Sequence, residues 1–265
     1  MIIHERAIVH PSAIIGDGTV IGPDVIIDEH VSIGSKCEIR ARAIITGHTT
    51  LGDRNQIGYN AIIGAEPQDL SYDNAVSYVR IGDDNIVREN STIHRGTKAD
   101  SATELGNKNY LMAGVHVAHN CQIGNEVILV NNVLLGGHVE IRDYAFLGGD
   151  VVVHQFVRIG EYVMVRGQTR VGMDIPPYCM AAFTNSVVGL NRVGLKRRGF
   201  NPEQRTVIQK AFDILYHQGN NREQAIKAMT FFKGMQTDEV ALLASFLKDT
   251  KRGICQFRED TEEGS

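Results

Sequence analysis

Five of the ten histidines, His94, His116, His119, His138 and His154, crowd into about a quarter of the chain. Taken singly, a surface histidine is most often a solvated side chain. Together they make this the region best supplied for proton transfer near neutral pH, where an unperturbed imidazole titrates. His119 stands out because Gly137 follows it by eighteen residues, a spacing whose meaning is given below. A neutral imidazole can take a proton from a hydroxyl. A backbone N–H with no side chain over it can hold a developing oxyanion. A base plus an oxyanion donor is the minimum equipment for acyl transfer without a covalent intermediate. The chain has no Gly-x-Ser-x-Gly motif and no cysteine-nucleophile pattern, so direct transfer is the expected route.

The elements that must position these groups follow from a period of six. From Ile3 to Ile63, from Ile81 to Ile93 and from Leu105 to Val171, every sixth residue is aliphatic, 26 in all. Six matches neither the 3.6 of a helix nor simple strand alternation, but it is a period of parallel β-helices. Each hexad makes a short strand and a turn, and three hexads make one triangular coil. The lead aliphatic points inward. So does the residue four places on, which is small or β-branched at Ala13, Thr19, Val25, Val31, Cys37, Ala43, Val127 and Val151. Glycine often follows the lead residue, as at Gly16, Gly22, Gly34, Gly58, Gly124 and Gly160, and is expected to serve corners where φ is unusual or backbones crowd. Equivalent residues in successive coils are then eighteen apart in sequence and about 4.8 Å apart in space. His119, Gly137 and Gln155 form one column, and Asn120, His138 and Phe156 form the next. A β-sandwich with coincidental spacing is the alternative, and the in-phase hexads weigh against it.

Residues 1–185 are expected to form the β-helix and 186–265 a small helical domain. Interruptions near 67–79 and 99–104 preserve the phase, so each can loop out without unwinding the coil. Loops on a rigid scaffold tend to carry binding residues, which draws attention to Gln68, Asp69, Ser71 and Tyr72. Pro176-Pro177 closes the repeats. Asn201-Pro202-Glu203-Gln204 reads as an N-cap, a proline at the first helical position and a capping-box partner, opening a helix over 202–218. Further helix starts stand at Asn220 and Thr237, and the polar tail Glu259–Ser265 is expected to fray.

The net charge of −4 exerts no pull toward nucleic acid or anionic membrane. No apolar run is long enough to span a bilayer, and no signal-peptide pattern opens the chain. A cytoplasmic protein is therefore expected. Cys37, Cys121, Cys179 and Cys255 lack metal or disulfide spacing. The outward apolar residues Leu134, Val152 and Met164 call for cover.

The stretches Pro67-Gln68-Asp69-Leu70, Ile93-His94-Arg95-Gly96-Thr97, His116-Val117-Ala118-His119, Asn131-Asn132, Gly137-His138-Val139, Val153-His154-Gln155-Phe156 and Gly194-Leu195-Lys196-Arg197-Arg198-Gly199-Phe200 resemble the acyl-ACP:UDP-N-acetylglucosamine O-acyltransferases, the LpxA family. The resemblance covers nearly the whole chain. It implies an all-β left-handed parallel β-helix of hexapeptide repeats followed by a small helical domain. It also implies transfer of an (R)-3-hydroxyacyl chain from acyl carrier protein to the 3-hydroxyl of UDP-GlcNAc, the first step of lipid A biosynthesis.

By that resemblance His119 is the general base and Gly137 the oxyanion donor. Gln68, Asp69, His94, His116, Asn120, His138, Gln155 and Asn191 would position the substrates. Arg197 and Arg198 would meet phosphates or the acidic carrier protein, and Gly167, beside Arg166, matches a position that limits acyl-chain length. No metal and no resident cofactor are implied, since phosphopantetheine arrives on the carrier protein. The family assembles as homotrimers with sites between subunits.

The chain departs from the family pattern in places. Asn120 stands where Asp is common; it can orient the imidazole but supplies no charge. Ser71 replaces a frequent Lys, and Val193 a frequent acidic residue. Ser71 and the stretch around Asn191 are similar to a branch that acylates the 3-amino analogue of the sugar, which stays open as the alternative acceptor. Other classes also stay open. A zinc hydratase similar to γ-class carbonic anhydrases would use His94, His116 and His119, a small-acyl transferase would use acetyl-CoA, and a non-catalytic carrier-binding scaffold would use none of them.

Overall fold

A computed structural model describes residues 1–231 and 234–260, so the end of the expected frayed tail, from residue 261 on, lies outside the described residues. Most strands are two residues long, the first facing outward and the second inward. Every third strand pairs in parallel with the one before it, giving three sheets of twelve, nine and eight strands. The usual register is eighteen residues, as in Ile2↔Val20 and Ile3↔Ile21. It widens where the two insertions loop out, as in Gln56↔Ile86 and Thr92↔His116. The widenings, twelve and six residues, are whole numbers of hexads. That is why the inward phase survives them.

The lead aliphatics stack as a continuous core. From Ile21 to Val171 each is 4% exposed or less. Burying one such side chain stabilises the fold by roughly 1.5–3 kcal/mol. The first coil departs from this pattern: Ile3 is 42% exposed, and Val9 and Ile15 are only partly buried. A coil's lead residues are covered from above and below, and the first coil has no coil beneath it.

The corners also correct one expectation. Glycines after the lead residue avoid positive φ except Gly64 (φ 86°); at Gly16 it is close approach that requires glycine, since a Cβ there would lie 2.5 Å from the Gly34 carbonyl carbon. The left-handed conformation falls instead on non-glycine corner residues, among them Asn120 (φ 60°), His138 (φ 61°) and Phe156 (φ 65°). Short polar side chains accept that region most readily, and here it aims the outer corner column away from the core.

Past the proline pair, Cys179–Ala182 continues the first sheet and turns back antiparallel into Ser186–Leu190. The expected boundary at 185/186 thus falls at the turn of this hairpin. Among the described residues four helices follow: α1 (Arg192–Arg197), α2 (Pro202–Tyr216), α3 (Arg222–Phe231) and α4 (Asp238–Asp249). Asn201 and Gln204 form the capping box that opens α2, and Asn221 with Gln224 does the same for α3. The short α1 was not expected. Gln256–Phe257 then returns to the first sheet beside Ser186–Val187, tying the helical segment to the coil. Among the described residues, no helix is long and apolar enough to cross a membrane.

Candidate active site

The column His119–Gly137–Gln155 lines one edge of a cleft of about 440 Å³. Gln68, His94, His116, Leu134, Val152 and His154 line the rest. The coil supplies most of these from neighbouring strands and corners. The first insertion brings Gln68, and Asp69 beside it, over the top.

His119 is held at one ring nitrogen. Its Nδ1 lies 3.0 Å from Asn120 Oδ1. The same oxygen accepts hydrogen bonds from the Thr97 backbone N–H at 3.1 Å and from the Thr97 hydroxyl at 3.0 Å. A backbone N–H can only donate, so the amide end facing it is the oxygen. An imidazole nitrogen facing that oxygen must carry a proton. The neutral tautomer is therefore Nδ1–H, and the lone pair sits on Nε2. Asp69 Oδ2 lies 3.8 Å from Nε2, beyond direct hydrogen-bond range, and sets a carboxylate beside the ring. Asp69 itself is held ionised: hydrogen bonds from the Ser71 N–H (2.9 Å) and hydroxyl (2.8 Å) hold its carboxyl below the usual range. The charge that Asn120 cannot supply thus comes from the loop.

Gly137 packs directly against the His119 ring. A Cβ on it would lie 2.4 Å from His119 Cε1 and 2.5 Å from Nε2, so only glycine lets the ring occupy this place. Among the described residues its N–H donates to no group. Its first-in-corner position explains this, because the ladder uses the N–H of the next residue, as in His138 N–H to His119 O at 3.0 Å.

Three neighbouring histidines, His94, His116 and His138, are kept neutral. Burial, with His116 beside it, pushes His94 down to about 4. Its Nδ1 is buried with no partner among the described residues, and its ring stands edge-on to His116 at 5.1 Å. His116 is lowered by burial and by His119, and its Nδ1 meets the Thr92 hydroxyl at 2.7 Å. His138 is lowered by burial and by His119. It stands edge-on to His119 at 5.2 Å and stacks on Phe156 at 4.6 Å. The rings thus form two groups, His94 with His116 on neighbouring strands and His119, His138 and Phe156 at the corner. Among the described residues no three His, Cys, Asp or Glu side chains converge to hold a metal ion.

One chain gathers Gln68, Asp69, His94, His116, His119, Asn120, Gly137, His138 and Gln155. It leaves four expected residues elsewhere. Gly167 sits on a different corner, where a Cβ would come within 3.1 Å of Gly149 O. Asn191 caps α1 through Gly194 N–H at 3.0 Å and donates to Tyr162 O at 2.8 Å. Arg197 lines a groove of about 1030 Å³ with Arg192, Lys196, Arg205 and Lys210. Arg198 pairs with Glu126 and lies over the Tyr144 ring at 4.6 Å. Thr92, Thr97 and Thr103, which support the histidines and Asn120, were not foreseen. The period gave a signal for Thr103, an inward position, but none for Thr97.

Comparison with known proteins bears on the whole chain. A family model described as UDP N-acetylglucosamine O-acyltransferase, domain 2, matches residues 174–255, and one for bacterial transferase hexapeptides matches 102–137. A relative from Syntrophobacter fumaroxidans, named acyl-[acyl-carrier-protein]–UDP-N-acetylglucosamine O-acyltransferase, is 42% identical over 96% of this chain and 99% of its own. The solved LpxA structure from Bacteroides fragilis is 40% identical, with a TM-score of 0.90 over 96% of this chain and 99% of that one. That from Acinetobacter baumannii is 34% identical, with a TM-score of 0.93 over 97% and 100%. The likeness also gives the hand of the coil: it is a left-handed parallel β-helix, as expected.

Proposed function

The chain belongs to the UDP-N-acetylglucosamine O-acyltransferase family, and from that premise we propose how its own residues carry out the reaction. A 3-hydroxyacyl chain passes from acyl carrier protein to the 3-hydroxyl of UDP-GlcNAc, opening lipid A synthesis. His119 Nε2 takes the proton of the sugar hydroxyl as its oxygen attacks the thioester carbonyl. The Gly137 N–H receives the carbonyl oxygen as charge develops on it. Collapse breaks the carbon–sulfur bond, and the departing pantetheine sulfur takes the proton back from His119. Asp69 favours the imidazolium between the two steps. The pantetheine arm comes with the donor, so the reading requires no resident cofactor or metal.

One observation carries this reading. A base with its lone pair on Nε2 and a backbone N–H with no partner among the described residues sit in one column of one cleft. Ser71 gives no separate support to the amino-sugar alternative, because its hydroxyl and N–H are spent on Asp69. The test is mass spectrometry of products from purified protein offered UDP-GlcNAc or its 3-amino analogue, with a series of 3-hydroxyacyl carrier proteins. An ester of UDP-GlcNAc is expected. A product from the amino sugar alone would overturn the acceptor assignment.

The active form in this reading is a homotrimer with its sites between subunits. Two of the three prism faces carry mainly apolar outward columns: Ile86, Tyr110, Ile128, Phe146 and Met164 after Glu38 and Gln56 on the first sheet, and Ile8, Ile26, Ile44, Ile62, Leu134 and Val152, broken by Thr92 and His116 and ended by Arg170, on the second. The third begins with Ile14 and then carries Ser32, Thr50, Arg80, Glu104, Gln122, Glu140 and Arg158. Packing around a threefold axis covers two adjacent faces of each prism and leaves one in water. It also gives Asn191, Arg197 and Arg198 a route to a neighbour's cleft. Light scattering at three times 29.2 kDa is expected. Four buried, unpaired cysteines fit the reducing cytoplasm as the compartment.

A further inference from the structure

Thr97 belongs neither to the hexad scaffold nor to the wall of the cleft. It lies in the loop between strands Thr92–His94 and Ala102–Leu105, where the second insertion bulges out, is 7% exposed, and directs two donors at one atom. Its N–H and its hydroxyl reach Asn120 Oδ1 at 3.1 and 3.0 Å, on the far side of that oxygen's contact with His119. From the strand Ala102–Leu105 that follows this loop, Thr103 Oγ1 accepts the Asn120 backbone N–H at 2.8 Å. The loop is closed on itself by Ser101, whose Oγ accepts from Lys98 N–H at 3.0 Å and donates to Lys98 O at 2.7 Å.

This grip matters because residue 120 is an amide. The two ends of an asparagine side chain have opposite effects on an imidazole. With Oδ1 toward His119, the proton stays on Nδ1 and Nε2 is free to act as base. With Nδ2 there instead, the amide donates to Nδ1, the proton moves to Nε2, and no base faces the cleft. A general base fixed in the wrong tautomer can lose on the order of 10⁴ in rate. A carboxylate at this position has no wrong end. We propose that Thr97 is a positioning residue that holds the Asn120 amide with its oxygen toward His119, and so selects the tautomer of the base. The backbone N–H and the hydroxyl together hold the oxygen end inward, so loss of the hydroxyl weakens that hold. The inference rests on His119 being the base.

The test is a cycle of Thr97→Val and Thr97→Ser, each with Asn120 and with Asn120→Asp, assayed with UDP-GlcNAc and a 3-hydroxyacyl carrier protein. Loss of one neutral hydrogen bond in the Asn120 form should lower kcat roughly tenfold, with KM for the sugar nucleotide within about twofold. Thr97→Ser should restore most of the rate, and in the Asn120→Asp form the Thr97→Val loss should be at least about threefold smaller. In ¹⁵N-histidine spectra, assigned with His119→Ala, the parent should carry its His119 proton on Nδ1, and Thr97→Val should move population to Nε2. Equal losses in both backgrounds, no loss in either, or an Nε2–H parent would overturn the proposal. If His119→Ala turns over at the parent rate, the base assignment itself fails, which separates the two.

Discussion

Replacing Gly137 by alanine tests where the base stands without removing any group that does chemistry. The added Cβ would lie 2.4 Å from His119 Cε1, 2.5 Å from Nε2 and 3.1 Å from Nδ1. Non-bonded carbons rest about 3.5–4.0 Å apart, so the ring must retreat by about 1 Å. Its retreat is opposed, because Nδ1 is bonded to Asn120 and the ring stands against His138. A misplacement of about 1 Å costs on the order of 10² in rate, which is about 2.7 kcal/mol of barrier. Gly137 does not use positive φ, so the backbone accepts alanine, and the N–H proposed to receive the oxyanion is retained. The expected result is a kcat about a hundredfold lower, KM values for both substrates within a few-fold, and a melting temperature close to that of the parent. These are read from initial rates with UDP-GlcNAc and a 3-hydroxyacyl carrier protein, and from calorimetry. A Gly137→Ala enzyme within about threefold of the parent would refute the idea that this glycine seats the base.

Two further outcomes concern stability and reactivity. His94 titrates near 4 in the folded chain against 6.5 ordinarily. Between those values the unfolded chain binds a proton that the folded chain refuses, so stability is full above pH 6.5 and falls as pH drops toward 4, by up to about 3 kcal/mol per chain. In urea titrations across that window His94→Asn should flatten the slope, and an unchanged slope would show that another group sets it. Burial pushes all four thiols up, Cys121 and Cys255 to about 12. Ellman's reagent should therefore leave the native protein unmodified at pH 8 and find four thiols once it is unfolded; fast native reaction of any one would contradict its place in the core.

The period of six was enough to place the inward residues, the three-sided coil and the columns eighteen residues apart, because each hexad repeats one local pattern of strand, corner and ladder hydrogen bond. It put Gly137 over His119 and His138 over Asn120 before any coordinates. The capping sequences at Asn201, Asn220-Asn221 and Thr237 opened helices for equally local reasons. Tertiary structure decided what has no period. The insertions are anchored only by the contacts they make, so nothing in their sequence says that Asp69 reaches His119 across fifty residues or that Thr97 grips Asn120. The hexads hold no record of the hairpin at Cys179–Leu190 or of the strand Gln256–Phe257 returning to the coil, since these follow from covering the last open edge. The tautomer of His119 belongs to the same class: the histidine is written in the sequence, but the side of the ring that carries the proton is set by an oxygen that only the folded second insertion turns toward it.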